Sequence, residues 1–160
     1  MLAICLSAVP AFAVGACYTP PELTAEHLLR LHSELMVITV TCHTGSQGED
    51  LVVAYTGFTH KNIRALHDAE ATLIRFYKNN YGGSGVDRLD KLRTKLANEY
   101  GQKIADMSAP AYCARYRDKV LVMRTVSPPR LEDEVKHMTL VEKSYAYLCK
   151  EIDPLIAKNK

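Results

Sequence analysis

Apolar residues recur at helical spacing along the N-terminal third of the chain. They are separated by three or four positions, so they lie on one face of an α-helix. This stripe consists of Leu28, Leu31, Leu35, Ile38 and Cys42. The segment Thr19–Glu22 in front of it has the pattern of a capping box, with proline in the first turn. The pattern predicts a first helix that begins after Thr19 and ends at Gly45.

Apolar residues keep this three-to-four-residue spacing toward the C-terminus, and glycine, serine and proline interrupt the pattern. It predicts a long second helix with a kink at Gly57, and a third helix that begins after the cap signature Ser84–Asp87. Breaks at Ser108 and at Ser127–Pro129 separate two further helices. Because the connections are short, consecutive helices are expected to be antiparallel neighbours. The sequence therefore predicts an all-α fold, an up-and-down bundle of about five helices stapled by disulfides.

Residues 14–160 form this single domain, whereas residues 1–13 have the features of a signal peptide. They are apolar, carry no charge, and end in the small-residue site Ala11–Ala13. No basic n-region precedes them, so the leader is expected to be truncated at its start. The apolar run is shorter than the roughly 20 residues that span a bilayer. We expect an exported protein, periplasmic or secreted, without a membrane-spanning helix.

Four cysteines follow the leader, and export places them in an oxidising compartment where disulfides form. Helix directions bring Cys42, at the end of the first helix, to the same end of the bundle as Cys113 in the fourth. We expect these two to pair. Cys17 and Cys149 are then left for a second bridge, although up-and-down counting places them at opposite ends.

Cys17 also has a second interpretation. The small residues Val14–Ala16 precede it as in a lipobox, but the usual leucine is missing. Lipidation of Cys17 would anchor the protein to a membrane and leave an odd cysteine. The alternative to a disulfide at Cys17 is therefore a lipid-anchored envelope lipoprotein.

Charged residues are unevenly distributed, although the formal net charge is only +2. Residues 14–50 have a net charge of −4, and residues 109–130 have a net charge of +4. We expect these two segments to lie side by side and neutralise each other. The small total charge and the lack of a recognition motif argue against a nucleic-acid partner.

Candidate metal ligands are few. Glu134 and His137 have the Glu-x-x-His spacing of di-iron bundles, but a second copy is missing. His60 and His67 share a face of the predicted second helix, opposite its apolar stripe. A solvent-exposed face explains both sets more simply. The glycine-rich segment 81–86 lacks the lysine of a P-loop and is expected to be a plain turn. The sequence predicts no cofactor and no catalytic residue.

Two stretches near the N-terminus, Cys17–Leu23 and Glu34–Val37, together with Cys42, resemble small exported helical proteins of Gram-negative bacteria with no assigned function. Leu89–Leu92 and Leu96–Glu99 extend the likeness. The resemblance implies an envelope location and a helical fold. It carries no catalytic residue over to this chain.

These observations predict an exported, non-enzymatic helical domain that interacts with another envelope protein. We expect the partner to bind in a groove between the second helix and the layer of the fourth and fifth helices. The alternatives are a small metal-binding protein or enzyme that uses helix-borne His and Glu, and the lipoprotein anchored through Cys17.

Overall fold

The computed structural model describes residues 16–43, 48–141 and Cys149. The helices within them are α1 Pro20–Cys42, α2 Gly48–Lys61, α3 Ile63–Tyr81, α4 Gly85–Met107, α5 Ala109–Met123 and α6 Pro128–Val141. This architecture confirms the all-α, disulfide-stapled fold. The predicted leader at residues 1–13, the helix end at Gly45 and the fifth helix beyond residue 141 lie outside the described residues. Within the described ranges, no helix combines the length and the apolar character that crossing a membrane requires.

Local capping fixes where two of the helices begin. The Glu22 carboxylate accepts hydrogen bonds from the Thr19 backbone N–H at 2.7 Å and from the Thr19 hydroxyl at 2.8 Å. At the start of α4, the Ser84 hydroxyl oxygen accepts from the Asp87 backbone N–H at 3.1 Å. Backbone donors at a helix start have no partner within the helix, so such bonds stabilise the first turn. The start predicted after Thr19 is confirmed, and α4 begins at Gly85, within the predicted cap signature Ser84–Asp87.

The predicted second helix is in fact two helices, α2 and α3, separated at Asn62. Asn62 has non-helical dihedral angles, φ −109° and ψ 15°. Its side-chain Nδ2 donates to the Phe58 carbonyl at 2.9 Å, and its backbone N–H donates to the same oxygen at 3.1 Å. A side-chain amide that competes for the i−4 carbonyl distorts a helix. The kink predicted at Gly57 is wrong, because Gly57 lies within α2.

Helix α1 is the centre of the bundle and contacts every other helix. All residues from Ala25 to Leu31 are buried, so α1 is enclosed on every side along this stretch. The predicted stripe is only part of what it buries. A helix surrounded by neighbours must bury its polar residues as well, and those of α1 are Glu26, His27, Arg30, Ser33, Glu34 and Thr39.

The two disulfides reveal the direction of the outer helices. Cys42 at the end of α1 is bonded to Cys113 near the start of α5. Cys17, just before α1, is bonded to Cys149, whose backbone N–H donates to the Tyr18 carbonyl at 3.0 Å. The chain therefore travels from one end of α1 to the other through α5 and α6 in succession. Cys149 therefore lies at the beginning of α1, and the position at the other end of the bundle that helix counting gave it is wrong.

An ion pair joins the acidic and basic segments of the chain. The Lys119 ammonium of α5 donates to Glu34 Oε2 of α1. Glu34 is buried, so this cation compensates a carboxylate that has lost most of its water. The expected side-by-side packing of residues 14–50 and 109–130 is confirmed at this pair.

Candidate functional site

A groove of about 540 Å³ lies between α1, α3 and α6. We call it the α1–α3–α6 groove. Its volume is within the range of small-molecule and peptide side-chain sites. The lining residues are Pro21, Thr24, Ala25, Leu28, Ala65, Asp68, Ala69, Thr72, Pro128, Pro129, Leu131, Glu132 and Val135.

Small side chains create the groove. Ala65 and Ala69 are one turn apart on α3, and Ala25 faces the same space from α1. Where large residues would fill the gap between packed helices, alanines leave it open. Pro128 and Pro129 form the opposite wall at the start of α6, where proline fits because the first turn needs no backbone donor.

The floor of the groove is apolar and its rim is acidic. Leu28, Leu131 and Val135 are buried beneath it. Asp68 on α3 and Glu132 on α6 are exposed at opposite walls. Glu132 also pairs with Lys136 at 2.9 Å, but both of these side chains are about 60% exposed, and an exposed pair of this kind is weak.

The threonines in the groove offer little hydrogen bonding to a ligand. The Thr24 hydroxyl donates to the Pro20 carbonyl at 2.9 Å, and the Thr72 hydroxyl donates to the Asp68 carbonyl at 2.8 Å. Each hydroxyl proton is thus used within its own helix. The methyl groups extend the apolar surface, and the groove suits apolar side chains.

A buried ionic cluster lies next to this surface, inside the bundle. Arg30 Nη2 donates to Glu26 Oε1 at 3.2 Å, and Arg30 Nη1 donates to both carboxylate oxygens of Glu99 at 3.1 Å. Burial alone lowers the pKa of Arg30, but Glu99, Tyr100 and Glu26 outweigh it and raise that pKa above its ordinary value. The guanidinium therefore stays charged in the core and ties α4 to α1.

Tyrosines extend the cluster toward the start of α1. The hydroxyls of Tyr18 and Tyr77 are 3.3 Å apart. Burial, followed by the nearby Glu26 carboxylate, raises the pKa of Tyr18. Tyr18 also packs against Phe76, with ring centroids 4.6 Å apart. A phenol with a raised pKa stays protonated, so this group serves packing and hydrogen bonding rather than proton transfer near neutral pH.

Sequence reasoning missed the ionic cluster. Glu26 and Arg30 have the i, i+4 spacing of an ordinary surface pair, and Glu99 is distant in sequence. A signal was nevertheless present, because Leu28, Leu29 and Leu31 cannot share one face of a helix. Leucines on several sides indicate a helix that is enclosed, and charged residues on such a helix need partners in the core.

Two histidines on α1 are also held in the interior. His27 is fully buried, and burial is the main cause that lowers its pKa. His32 is half-buried, its Nε2 lies 2.9 Å from the Tyr55 hydroxyl, and burial lowers its pKa as well. Both imidazoles are therefore neutral near pH 7.

The candidate metal ligands do not come together in the structure. His60 lies exposed near the end of α2, His67 is exposed on α3 beyond the break at Asn62, and Glu134 is exposed on α6. The side chain of His137 lies outside the described residues. Among the side chains that the structure does describe, no group of three or more His, Cys, Asp or Glu is placed to hold a metal ion.

Four cysteines form the two bridges favoured by the sequence, Cys42–Cys113 and Cys17–Cys149. The second bridge uses Cys17 Sγ. A lipoprotein thioether would need the same sulfur atom, so this disulfide and lipidation of Cys17 exclude each other.

Comparison with known proteins gives no relative from which a function could be transferred. No protein-family model matches the chain, no curated protein matches it, and no solved structure matches it. Any functional assignment therefore depends on the geometry of the site.

Proposed function

We propose that the protein is an exported, non-enzymatic interaction domain of the cell envelope, and that its partner binds in the α1–α3–α6 groove. The groove itself is the observation that carries the proposal. It combines an apolar floor with a width set by alanines, and it opens beside α1, which has a disulfide at each of its ends. A concave apolar surface of this size favours a ligand with apolar side chains.

The rim indicates the chemistry of the partner. Asp68 and Glu132 stand on opposite walls and place negative charge at both edges of the opening. A partner with apolar anchors flanked by a basic residue would complement both the floor and the rim. We therefore propose an apolar segment of an envelope protein that carries Lys or Arg beside its anchors.

The disulfides support the part of the proposal that concerns location. Two bridges in a chain of this size are typical of proteins that fold outside the cytosol, because cytosolic thiols are kept reduced. Together with the apolar segment 1–13, they favour the periplasm as the working compartment.

Site-specific photo-crosslinking in living cells tests the groove. A photoreactive phenylalanine analogue is introduced at Thr72 in the groove or, as the matched control, at Thr94 on the exposed surface of α4. Both threonines sit in a helix and donate their hydroxyl to the i−4 carbonyl, so the two replacements perturb the helices alike. We expect an adduct at Thr72 and none at Thr94.

Mass spectrometry of the adduct then identifies the crosslinked peptide, which is expected to carry apolar residues next to Lys or Arg. Thr72→Trp should fill the groove and abolish co-purification of that protein, whereas Thr94→Trp should not. Equal adducts at both positions, or a partner retained by Thr72→Trp, would show that the groove is not the binding surface.

Metal analysis separates this proposal from the alternative of a metal-binding protein or enzyme. Purified protein dialysed against Zn²⁺ or Fe²⁺ and then against metal-free buffer should retain no stoichiometric metal. If metal is retained and is lost in a His60→Ala, His67→Ala variant or in Glu134→Ala, the alternative replaces the interaction domain.

A further inference from the structure

One end of the α1–α3–α6 groove lies beside the start of α1. Tyr18, just before α1, packs against Phe76 of α3, with ring centroids 4.6 Å apart. Pro21 follows Tyr18 by three positions, and Thr72 precedes Phe76 by four. Both Pro21 and Thr72 line the groove, so they belong to the same end of it. We call this the Pro21 end.

A disulfide fixes Cys149 close to the Pro21 end. The Cα atoms of Cys17 and Cys149 are 4.9 Å apart, and Pro21 is four positions after Cys17. Since four residues span at most about 14 Å, the Cα atom of Pro21 lies within about 19 Å of that of Cys149. An extended chain of six residues spans about 20 Å. Leu155, six positions after Cys149, is therefore able to reach the groove.

The residues that follow Cys149 have the chemistry expected of an occupant of this groove. Residues 150–160, which lie outside the described residues, are called the 150–160 segment. It contains two adjacent apolar residues followed by two lysines, namely Leu155, Ile156, Lys158 and Lys160. The floor of the groove is apolar, and its rim carries Asp68 and Glu132, of which Glu132 is shared with Lys136. Apolar anchors followed by lysines complement both the floor and the rim.

The order of charges along the segment also matches the order along α3. Arg75 lies at the Pro21 end, where its Nη2 donates to Thr72 Oγ1 at 3.2 Å. Asp68 is one turn beyond Thr72, farther from this end. In the segment, Glu151 and Asp153 precede the apolar anchors, and the lysines follow them. A segment that enters at the Pro21 end therefore brings its carboxylates toward Arg75 and its lysines toward Asp68.

We propose that the 150–160 segment occupies the α1–α3–α6 groove of its own chain, and that a partner must displace it. As regulation of a binding site, this inference rests on the proposed function. Because the segment is tethered at Cys149, its effective concentration at the groove is in the millimolar range. The same segment from a second copy of the chain lacks this advantage, so the chain's own segment is the favoured occupant.

Photo-crosslinking of the purified, disulfide-bonded protein tests the proposal. The photoreactive phenylalanine analogue is placed at Thr72 or, as the control, at Thr94, and no other protein is present. We expect the Thr72 protein to form an internal link, so that its mass stays that of a single chain. Mass spectrometry should place that link within residues 150–160. The Thr94 protein should form no link to this segment.

Two variants of the segment separate the role of the anchors from that of the charges. Leu155→Ser, Ile156→Ser should abolish the internal link. Lys158→Gln, Lys160→Gln should reduce its yield severalfold at low salt. The matched control for the second variant is Lys91→Gln, Lys103→Gln, which removes two exposed charges of α4 and should leave the yield unchanged. Thermal unfolding shows that each variant is folded.

The anchor variant also tests the regulation in cells. With the segment released, the groove is open to a partner for a larger fraction of the time. Leu155→Ser, Ile156→Ser should therefore raise the yield of the Thr72 adduct with another protein severalfold, and an unchanged yield would show that the segment does not regulate the groove. If no such adduct forms in either protein, the proposed function fails, and the internal link still decides whether the segment occupies the groove.

Three results with the purified protein would overturn the proposal. The first is a Thr72 protein without a link to residues 150–160. The second is a link that joins two chains, which would make a second copy the occupant. The third is an internal link that persists in Leu155→Ser, Ile156→Ser, because the apolar anchors would then not hold the segment in the groove.

Discussion

Arg30 and Glu26 form an ion pair in the centre of the bundle, with Nη2 3.2 Å from Oε1 and side chains that are 3% and 0% exposed. The pair lies on the one helix that touches all the others, and Arg30 also binds Glu99 of α4. Charges in such a position are stable only together, since each partner compensates the dehydration of the other.

Removal of the guanidinium should therefore be strongly destabilising. Arg30→Met leaves the Glu26 carboxylate buried without this cation and is expected to lower the free energy of unfolding by about 3–5 kcal/mol. The double variant Glu26→Gln, Arg30→Met should lose less, because no carboxylate stays behind at position 26. Urea unfolding with the disulfides intact measures the free energy of unfolding of both variants.

The control for the buried pair is Arg93→Met, which removes a partly exposed bridge to Glu70. It should cost less than about 1 kcal/mol. If Arg30→Met and Arg93→Met lower the free energy of unfolding by the same amount, the buried cluster contributes no more to stability than a surface bridge does.

Stability should fall as the solution becomes acidic. Burial lowers the pKa of His27 and His32 below their ordinary value of 6.5. The unfolded chain therefore binds protons between that value and the folded pKa, while the folded chain does not. The free energy of unfolding should decrease as pH falls below 6.5, by up to about 1.4 kcal/mol per pH unit for each histidine.

Urea unfolding over a range of pH values tests this dependence. His27→Gln and His32→Gln should each flatten the curve below pH 6.5, whatever they do to stability at pH 8. His60→Gln, at an exposed position near the end of α2, is the control for replacing one histidine by glutamine. A slope that is insensitive to both buried positions would assign the acid response to other groups.

Alanine substitutions at two glycines of α4 should change the free energy of unfolding in opposite directions. A Cβ atom on Gly85 would overlap the carbonyl oxygen of Ile74 in α3, whereas one on Gly101 would meet nothing within 4 Å. Gly85→Ala should therefore lower the free energy of unfolding by about 1–3 kcal/mol. Gly101→Ala should raise it by about 0.5–1 kcal/mol, because alanine is the better helix former. The same sign for both would show that α4 shifts freely against α3.

The two disulfides lead to predictions about the redox state of the cysteines and about the stability of the protein. Peptide mapping without reduction should recover the pairs Cys42–Cys113 and Cys17–Cys149, and the intact mass should carry no lipid. Cys42→Ser, Cys113→Ser opens a loop with a sequence separation of 71 residues and should cost about 4 kcal/mol. A diacylglyceryl group on Cys17 would contradict the second bridge.

The break at Asn62 shows where helix prediction from sequence stops. Leu51, Phe58, Leu66 and Leu73 keep their spacing across the break, so periodicity alone predicts one long helix. Asparagine at this position is compatible with a helix interior or with a turn. Its burial in the structure, with Nδ2 on the Phe58 carbonyl, is a consequence of the surrounding packing.

The sequence by itself determined the features that depend on near neighbours in the chain. These are the capped helix starts at Thr19 and Ser84, the apolar faces, and the breaks at Ser108 and Ser127–Pro129. The pairing of Cys42 with Cys113 also followed, because short connections fix the direction of successive helices.

Only the tertiary structure decided what depends on distant segments meeting. It placed α1 in the centre, brought Glu99 to Arg30, and brought Cys149 to Cys17. It also opened the α1–α3–α6 groove at Ala65 and Ala69. The physical reason is that a helix depends on hydrogen bonds and apolar spacing between residues that are close in sequence. Buried charges and the spaces between helices arise only when all the helix faces pack together.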